Sequence, residues 1–191
     1  MGELIKELKP IETPYNGYRF RSRLEARWAV FFDTLGIEYE YEPEGFTFQD
    51  GTKYLPDFYL PQSKQFFEVK GVLKHKDMHK IEAAVKAGLD VVIGYDDGKF
   101  QALSSWPNDE GESLSLVFDS PGESCLCKCK TCGNYWFLGI VGLFTCRCCG
   151  EYDGDHHMST IMCGDGYGGE AWDCARQARF EYGETPRVGL A

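Results

Sequence analysis

The chain has 191 residues, nine cysteines, and 20 Lys and Arg against 30 Asp and Glu, for a net charge of −10; this length fits one ordinary domain or two small ones. Hydrophobic residues at 43%, with 13 Phe, 11 Tyr and 4 Trp, supply enough apolar surface for a core and exclude a disordered or fibrous chain. The charge excludes a general nucleic-acid coat but not an enzyme acting on nucleic acid, because the acid is concentrated in residues 37–63 and 106–124.

Along the chain, Ser22 to Leu35 is predicted to be a helix with one buried face: Leu24, Trp28, Phe31 and Leu35 recur at helical spacing and Gly36 is a stop signal. Ile37–Tyr41, Phe46–Phe48, Tyr54–Leu60 and Gln65–Val69 are short, aromatic-rich and bounded by Pro, Gly or Ser, as hairpin-linked strands are. Asp77–Ala87 places Met78, Ile81 and Val85 on one helical face, and Val91-Val92-Ile93 suits an inner strand. Pro107–Glu112 has loop composition, and Leu114–Phe118 reads as a last strand. All nine cysteines lie at 125 or later, so a boundary is expected near Ser120-Pro121-Gly122, giving domains 1–119 and 120–191. No stretch approaches the roughly 18 apolar residues of a membrane helix. The start, Met1-Gly2-Glu3-Leu4-Ile5-Lys6, has neither signal nor transit character, so a cytoplasmic protein with no membrane partner is expected.

The informative segment is Leu55-Pro56-Asp57-Phe58 followed by Glu68-Val69-Lys70-Gly71. In a strand Glu68 and Lys70 share a face and Val69 points to the other, and Asp57 can join them from a neighbouring strand. Two converging carboxylates with open positions suit Mg²⁺ or Mn²⁺, and a lysine beside them can orient water or offset charge developing on a phosphate. The alternative is a solvated strand face with an ion pair.

With the helix run Phe20-Arg21-Ser22-Arg23-Leu24-Glu25-Ala26-Arg27-Trp28, these motifs resemble the PD-(D/E)XK nuclease superfamily. They lie nearest its small resolvase-like, transposon-end-like and phage-encoded members, over about residues 15–95. The resemblance implies a restriction-endonuclease-like fold, α/β with a mixed central sheet flanked by helices. It implies Asp57 and Glu68 as Mg²⁺ ligands, the Val69 carbonyl as a third, Lys70 as catalytic lysine, and Glu25 as an additional ligand or water contact. Ser22-x-x-Glu25 is equally a capping box. Arg21, Arg23 and Arg27, with Arg19, form the densest basic cluster, and Lys74 could extend a DNA track with Lys76 and Lys80; a solvated helix face is the other reading of the arginines. His75 and His79 read as exposed and non-catalytic.

Cys129-Lys130-Thr131-Cys132-Gly133 and Cys146-Arg147-Cys148-Cys149-Gly150 are two C-x-x-C-G units, the pattern of a zinc ribbon closed by Cys129, Cys132, Cys146 and Cys149. Four thiolates leave no room for water, so this zinc is structural. Tyr135–Leu138 and Leu143-Phe144 are expected to form a hairpin between the units. Cys125, Cys127, Cys148, Cys163 and Cys174, with His156 and His157, leave a second zinc and an alternative pairing through Cys148 open.

The sequence therefore leads to the expectation of a Mg²⁺-dependent DNA endonuclease with a C-terminal zinc ribbon that contacts DNA or a protein partner. The alternative is a non-enzymatic nucleic-acid- or protein-binding module on the same scaffold. A homodimer is left open.

Overall fold

The computed structural model describes residues 10–103, 124–138, 146–151, 161–163 and 166–183. The expected strand at Leu114–Phe118 and both His156 and His157 lie outside them.

A hairpin of β1 (Thr13–Tyr15) and β2 (Tyr18–Phe20) leads into α1 (Arg23–Leu35). Ser22 starts this helix, its Oγ accepting from the Glu25 N–H at 3.1 Å, which satisfies a donor that the first turn would otherwise leave unpaired. The buried set is wider than the expected single stripe. Ala26, Trp28, Ala29, Val30, Phe31 and Phe32 are all buried, because the helix is covered by the sheet on one side and by a C-terminal helix on the other.

Next come β3 (Glu40–Tyr41), the small hairpin β4 (Phe46–Thr47) and β5 (Lys53–Tyr54), then β6 (Phe58–Leu60), β7 (Gln65–Val69), α2 (His75–Lys86), β8 (Val91–Gly94) and β9 (Phe100–Leu103). The predicted strand Tyr54–Leu60 is two strands. Tyr54 pairs in the small hairpin and Phe58–Leu60 in the main sheet, and the break falls at Leu55-Pro56-Asp57, where proline cannot donate to a ladder.

The main sheet is mixed, in the order β3-β6-β7-β8-β9, with β7 and β8 parallel and the other neighbours antiparallel. The crossover between β7 and β8 is α2, as a parallel pair requires. The sheet is buried on both faces. Phe58, Leu60, Phe67, Val69 and Val92 pack with α1, where Trp28 meets Phe67 at a ring separation of 4.7 Å. Val91, Ile93 and Leu103 pack on the other face with Ile81, Ala84 and Val85 of α2. Gly94 ends β8 where a Cβ would overlap the rings of Phe67 and Trp28, so this close approach needs glycine.

The cysteine-bearing half contributes β10 (Cys125–Cys129), β11 (Tyr135–Leu138), β12 (Ile161–Cys163) and α3 (Gly166–Gln177), followed by a 3-10 turn at Phe180–Tyr182. Tyr135–Leu138 is a strand paired with β10, which precedes the first knuckle, and β12 flanks β10 on the other side; its expected partner Leu143-Phe144 lies outside the described residues. Residues from both sides of the expected 119/120 boundary share one buried cluster: Leu126, Phe137, Trp172 and Phe180 lie with Trp28, Phe31 and Phe67. Trp172 packs at a tilt against Trp28 with ring centroids 4.7 Å apart, and α3 packs along α1. The described residues thus form a mixed α/β protein with three α-helices and a five-stranded mixed main sheet. Among the described residues no helix is long and apolar enough to cross a membrane.

Candidate active site and metal centre

Strand alternation on β7 sends Gln65, Phe67 and Val69 toward α1 and leaves Glu68, with Lys70 just beyond the strand, on the α2 side. There they line a cleft of about 670 Å³ with Asp57, Tyr54 and Lys53 from the β5–β6 region, Phe46 of β4, Asp77 and Lys80 of α2, and Arg21. Asp57 reaches in from the segment between β5 and β6. Its Oδ2 accepts the Val69 N–H at 2.7 Å, and its own carbonyl accepts the Glu42 N–H at 2.9 Å, so the residue is held at both ends.

Lys70 Nζ lies 2.6 Å from Glu68 Oε1. The other Glu68 oxygen, Oε2, is buried without a hydrogen-bond partner, as is the Tyr54 hydroxyl. Burial, followed by the neighbouring Glu68, raises the Asp57 carboxyl well above the ordinary carboxylate range. Burial acts to lower the Lys70 pKa, but Glu68 and Asp57 outweigh it and hold the ammonium above the usual lysine range. Burial also raises the Tyr54 phenol well above its usual value, with Glu68 and Asp57 adding to it. These groups form a compact set in which negative charge is crowded and one carboxylate oxygen is unsatisfied, a donor set that fits a hard cation.

Glu25 is placed differently. Ser22 Oγ–H donates to its Oε1 at 2.6 Å, while the Tyr41 hydroxyl and the Arg21 N–H donate to its Oε2 at 2.6 and 3.1 Å. Only the serine half of the expected capping box is seen, since the carboxylate takes the Arg21 N–H and the Ser22 hydroxyl; both oxygens are engaged, and the side chain is buried outside the cleft lining, although close enough to add to the Asp57 shift. The arginines also separate. Arg21 lines the cleft and pairs with Glu42. Arg23 faces the C-terminal turn, 3.5 Å from Glu181, and Arg27 is lowered by burial and then by Arg23 and Arg176. Lys74 sits exposed just ahead of α2, its N–H donating to Asp77 Oδ2 at 3.2 Å, and it does not line the cleft; nor do His75 and His79, which are exposed.

Lys80, read from the sequence as part of a basic track, lines the cleft, and Lys53, Tyr54 and Asp77 are cleft residues that motif reading did not single out. Nothing local distinguishes them from other surface positions; only the packing of the β4–β5 hairpin and α2 across the sheet brings them here. In a chain of net charge −10, the cleft carries four cationic side chains, Arg21, Lys53, Lys70 and Lys80, against three carboxylates, Asp57, Glu68 and Asp77.

In the cysteine unit the sulfurs of Cys129, Cys132, Cys146 and Cys149 lie within 4.8 Å of one another. The Cys129–Cys149 and Cys132–Cys146 separations are 3.8 and 3.7 Å, and a tetrahedron with metal–sulfur bonds of about 2.3 Å has edges of about 3.8 Å. The four cysteines can therefore bind a structural metal ion such as zinc. Gly133 and Gly150 take φ of 75° and 77°, the left-handed turn expected after each C-x-x-C, and their N–H groups return to the Cys129 and Cys146 carbonyls at 2.9 and 2.8 Å.

Cys148 and Cys149 N–H groups point at Cys146 Sγ, at 3.4 and 3.5 Å. Cys129 is brought down to about 7: burial opposes this, but the N–H groups of Cys132 and Thr131 outweigh it. Cys148 turns away, its thiol directed at the Tyr135 carbonyl at 3.7 Å and pushed up to about 11 by burial first, so the ligand set runs through Cys149. Of the cysteines left open by the sequence, Cys125 is disulfide-bonded, and burial pushes its neighbour Cys127 up to about 12. Cys174 is buried on α3. The chain matches no protein-family model and no curated protein.

Proposed function

We propose that this chain is a metal-dependent DNA endonuclease whose N-terminal part follows the restriction-endonuclease-like plan of the PD-(D/E)XK nucleases. The observation that carries this reading is the convergence of Asp57, Glu68 and Lys70 in one cleft with cationic walls. The unsatisfied Glu68 Oε2 and the crowding of Asp57 against Glu68 fit a divalent cation such as Mg²⁺ or Mn²⁺. Asp57 and Glu68 would hold it, with the Val69 carbonyl as a third ligand. The ion would lower the pKa of attacking water and polarise the scissile phosphate.

The chain's own groups do the rest. Lys70 keeps its proton at Nζ beside Glu68 and presents positive charge where the phosphate becomes more negative during attack, the kind of fixed electrostatic contribution that stabilises a transition state without reorganisation. The Val69 N–H donates to Asp57 Oδ2 and so holds the carboxylate in place. Arg21 from the β2–α1 junction, Lys53 of β5 and Lys80 of α2 line the same cleft and would contact backbone phosphates beside the reacting one. Glu25 serves the reaction indirectly, by holding the Tyr41 hydroxyl and the backbone of the cleft residue Arg21.

The test is a cleavage panel of duplex, branched and single-stranded DNA with Mg²⁺ or Mn²⁺, run beside Lys70→Ala. Divalent-dependent cleavage of at least one form, lost in the variant, is the expected result. DNA binding with no cleavage of any form by the wild type would convert the protein into a binding module on the same scaffold.

A further inference from the structure

Besides the shared apolar cluster, the cysteine unit makes polar contacts with the start of the parallel pair β7–β8. Gln65, the first residue of β7, is buried at 2% exposure, and both ends of its amide are used by a residue 72 positions away. Its Nε2 donates to the Phe137 carbonyl at 2.8 Å, and the Phe137 N–H donates to its Oε1 at 2.9 Å. The side chain thereby replaces a strand neighbour for β11. Beside it, Asp90 precedes β8, and its carbonyl accepts the Phe66 N–H at 2.8 Å, the first rung between the two strands. The Asp90 carboxylate is gripped by both terminal nitrogens of Arg147. Arg147 itself lies inside the second knuckle, immediately after the ligand Cys146.

Each knuckle thus controls one grip. The first ends the β10–β11 hairpin, where the Cys129 N–H donates to the Asn134 carbonyl at 3.0 Å, and so sets Phe137. The second sets Arg147. Three residues along β7 from Gln65, a distance of about 10 Å in extended chain, stands Glu68, with Lys70 beyond it.

We infer that metal at Cys129, Cys132, Cys146 and Cys149 holds the β7–β8 pair in place through Gln65 and Arg147, making these two residues positioning groups for the Glu68–Lys70 segment. A short cysteine-rich segment with little core of its own depends on the metal for its conformation. Without it, Phe137 and Arg147 are released, a buried glutamine amide and a half-buried carboxylate lose their partners, and the start of the pair opens. The structural part stands on these contacts alone. Only the consequence for cleavage rests on the nuclease reading.

The test is amide hydrogen exchange on the full chain, zinc-loaded and after chelation, with Arg147→Ala as the variant that keeps every zinc ligand. Chelation should speed exchange at residues 65–69 and 91–94 at least tenfold. Arg147→Ala, verified by elemental analysis to retain its zinc, should speed the same amides several-fold while those of α1 stay as in the wild type. Unchanged exchange at 65–69 and 91–94 in the zinc-loaded variant overturns the inference, even if chelation unfolds the whole protein. Exchange is read without substrate, so a failure to cleave DNA would overturn the nuclease proposal and leave this one standing.

Discussion

Asp57→Asn should make the protein more stable in metal-free buffer while abolishing its response to divalent cations. The Asp57 carboxyl is desolvated and faces Glu68, and both effects raise its pKa well above the ordinary value. As a scale, two like charges at about 4 Å repel by about 4 kcal/mol at an effective dielectric constant of about 20. Lys70, paired with Glu68, offsets much of this, so a net relief of ~1 kcal/mol is expected, or roughly 2–4 °C in Tm for a chain of this size. The amide oxygen of the variant can still accept the Val69 N–H, so that hydrogen bond is kept.

Because the folded pKa is raised, the Asp57 contribution to stability is present below about pH 4 and is lost as pH rises through the folded value. The stability gap between variant and wild type therefore opens upward from the acid range. Thermal melts from pH 4 to pH 8 in chelator, repeated with Mg²⁺, measure this directly. At ten times its Kd the ion adds about 1.4 kcal/mol to the wild type and nothing to the variant. A variant less stable than wild type at pH 8 without metal, a gap as large at pH 4 as at pH 8, or a retained Mg²⁺ shift would each refute the reasoning.

Lys70→Ala should lower cleavage at least about 100-fold, the scale of losing one transition-state donor, while the Mg²⁺-induced rise in Tm persists; a lost rise with intact cleavage would reverse the assigned role. Protein purified under reducing conditions should carry zinc at Cys129, Cys132, Cys146 and Cys149, and Cys132→Ala should lose it by elemental analysis. Trp172→Ala empties a buried site against Trp28 and should cost roughly 3–5 kcal/mol, read as a lower urea midpoint. A chain ending at residue 119 uncovers Trp28, Phe31 and Phe67 by removing Leu126, Phe137 and Trp172, and should show no cooperative melt by circular dichroism.

What the sequence by itself determined is local. The Ser22 cap and the Trp28–Phe31 spacing specify α1, Gln65–Val69 is a strand as read, and the two C-x-x-C-G units meet at one tetrahedral cluster. In each case the interactions that decide the outcome join residues a few positions apart, or depend on a strict side-chain period. The side-by-side placement of Glu68 and Lys70 follows from that period as well.

Tertiary structure alone decided the rest. Whether Glu25 had an oxygen free depended on Tyr41, sixteen residues away, and the fate of Arg23 and Arg27 on a helix and turn near the C-terminus. Lys53 and Lys80 became cleft residues only when the small hairpin and α2 packed over the same face of the sheet. The change in composition at the first cysteine marked a boundary in chemistry, while hydrophobic burial joined both sides of it into one core. Burial has no direction along the chain, and any apolar surface that fits will close another, so which distant segments meet is decided by the packing of the whole.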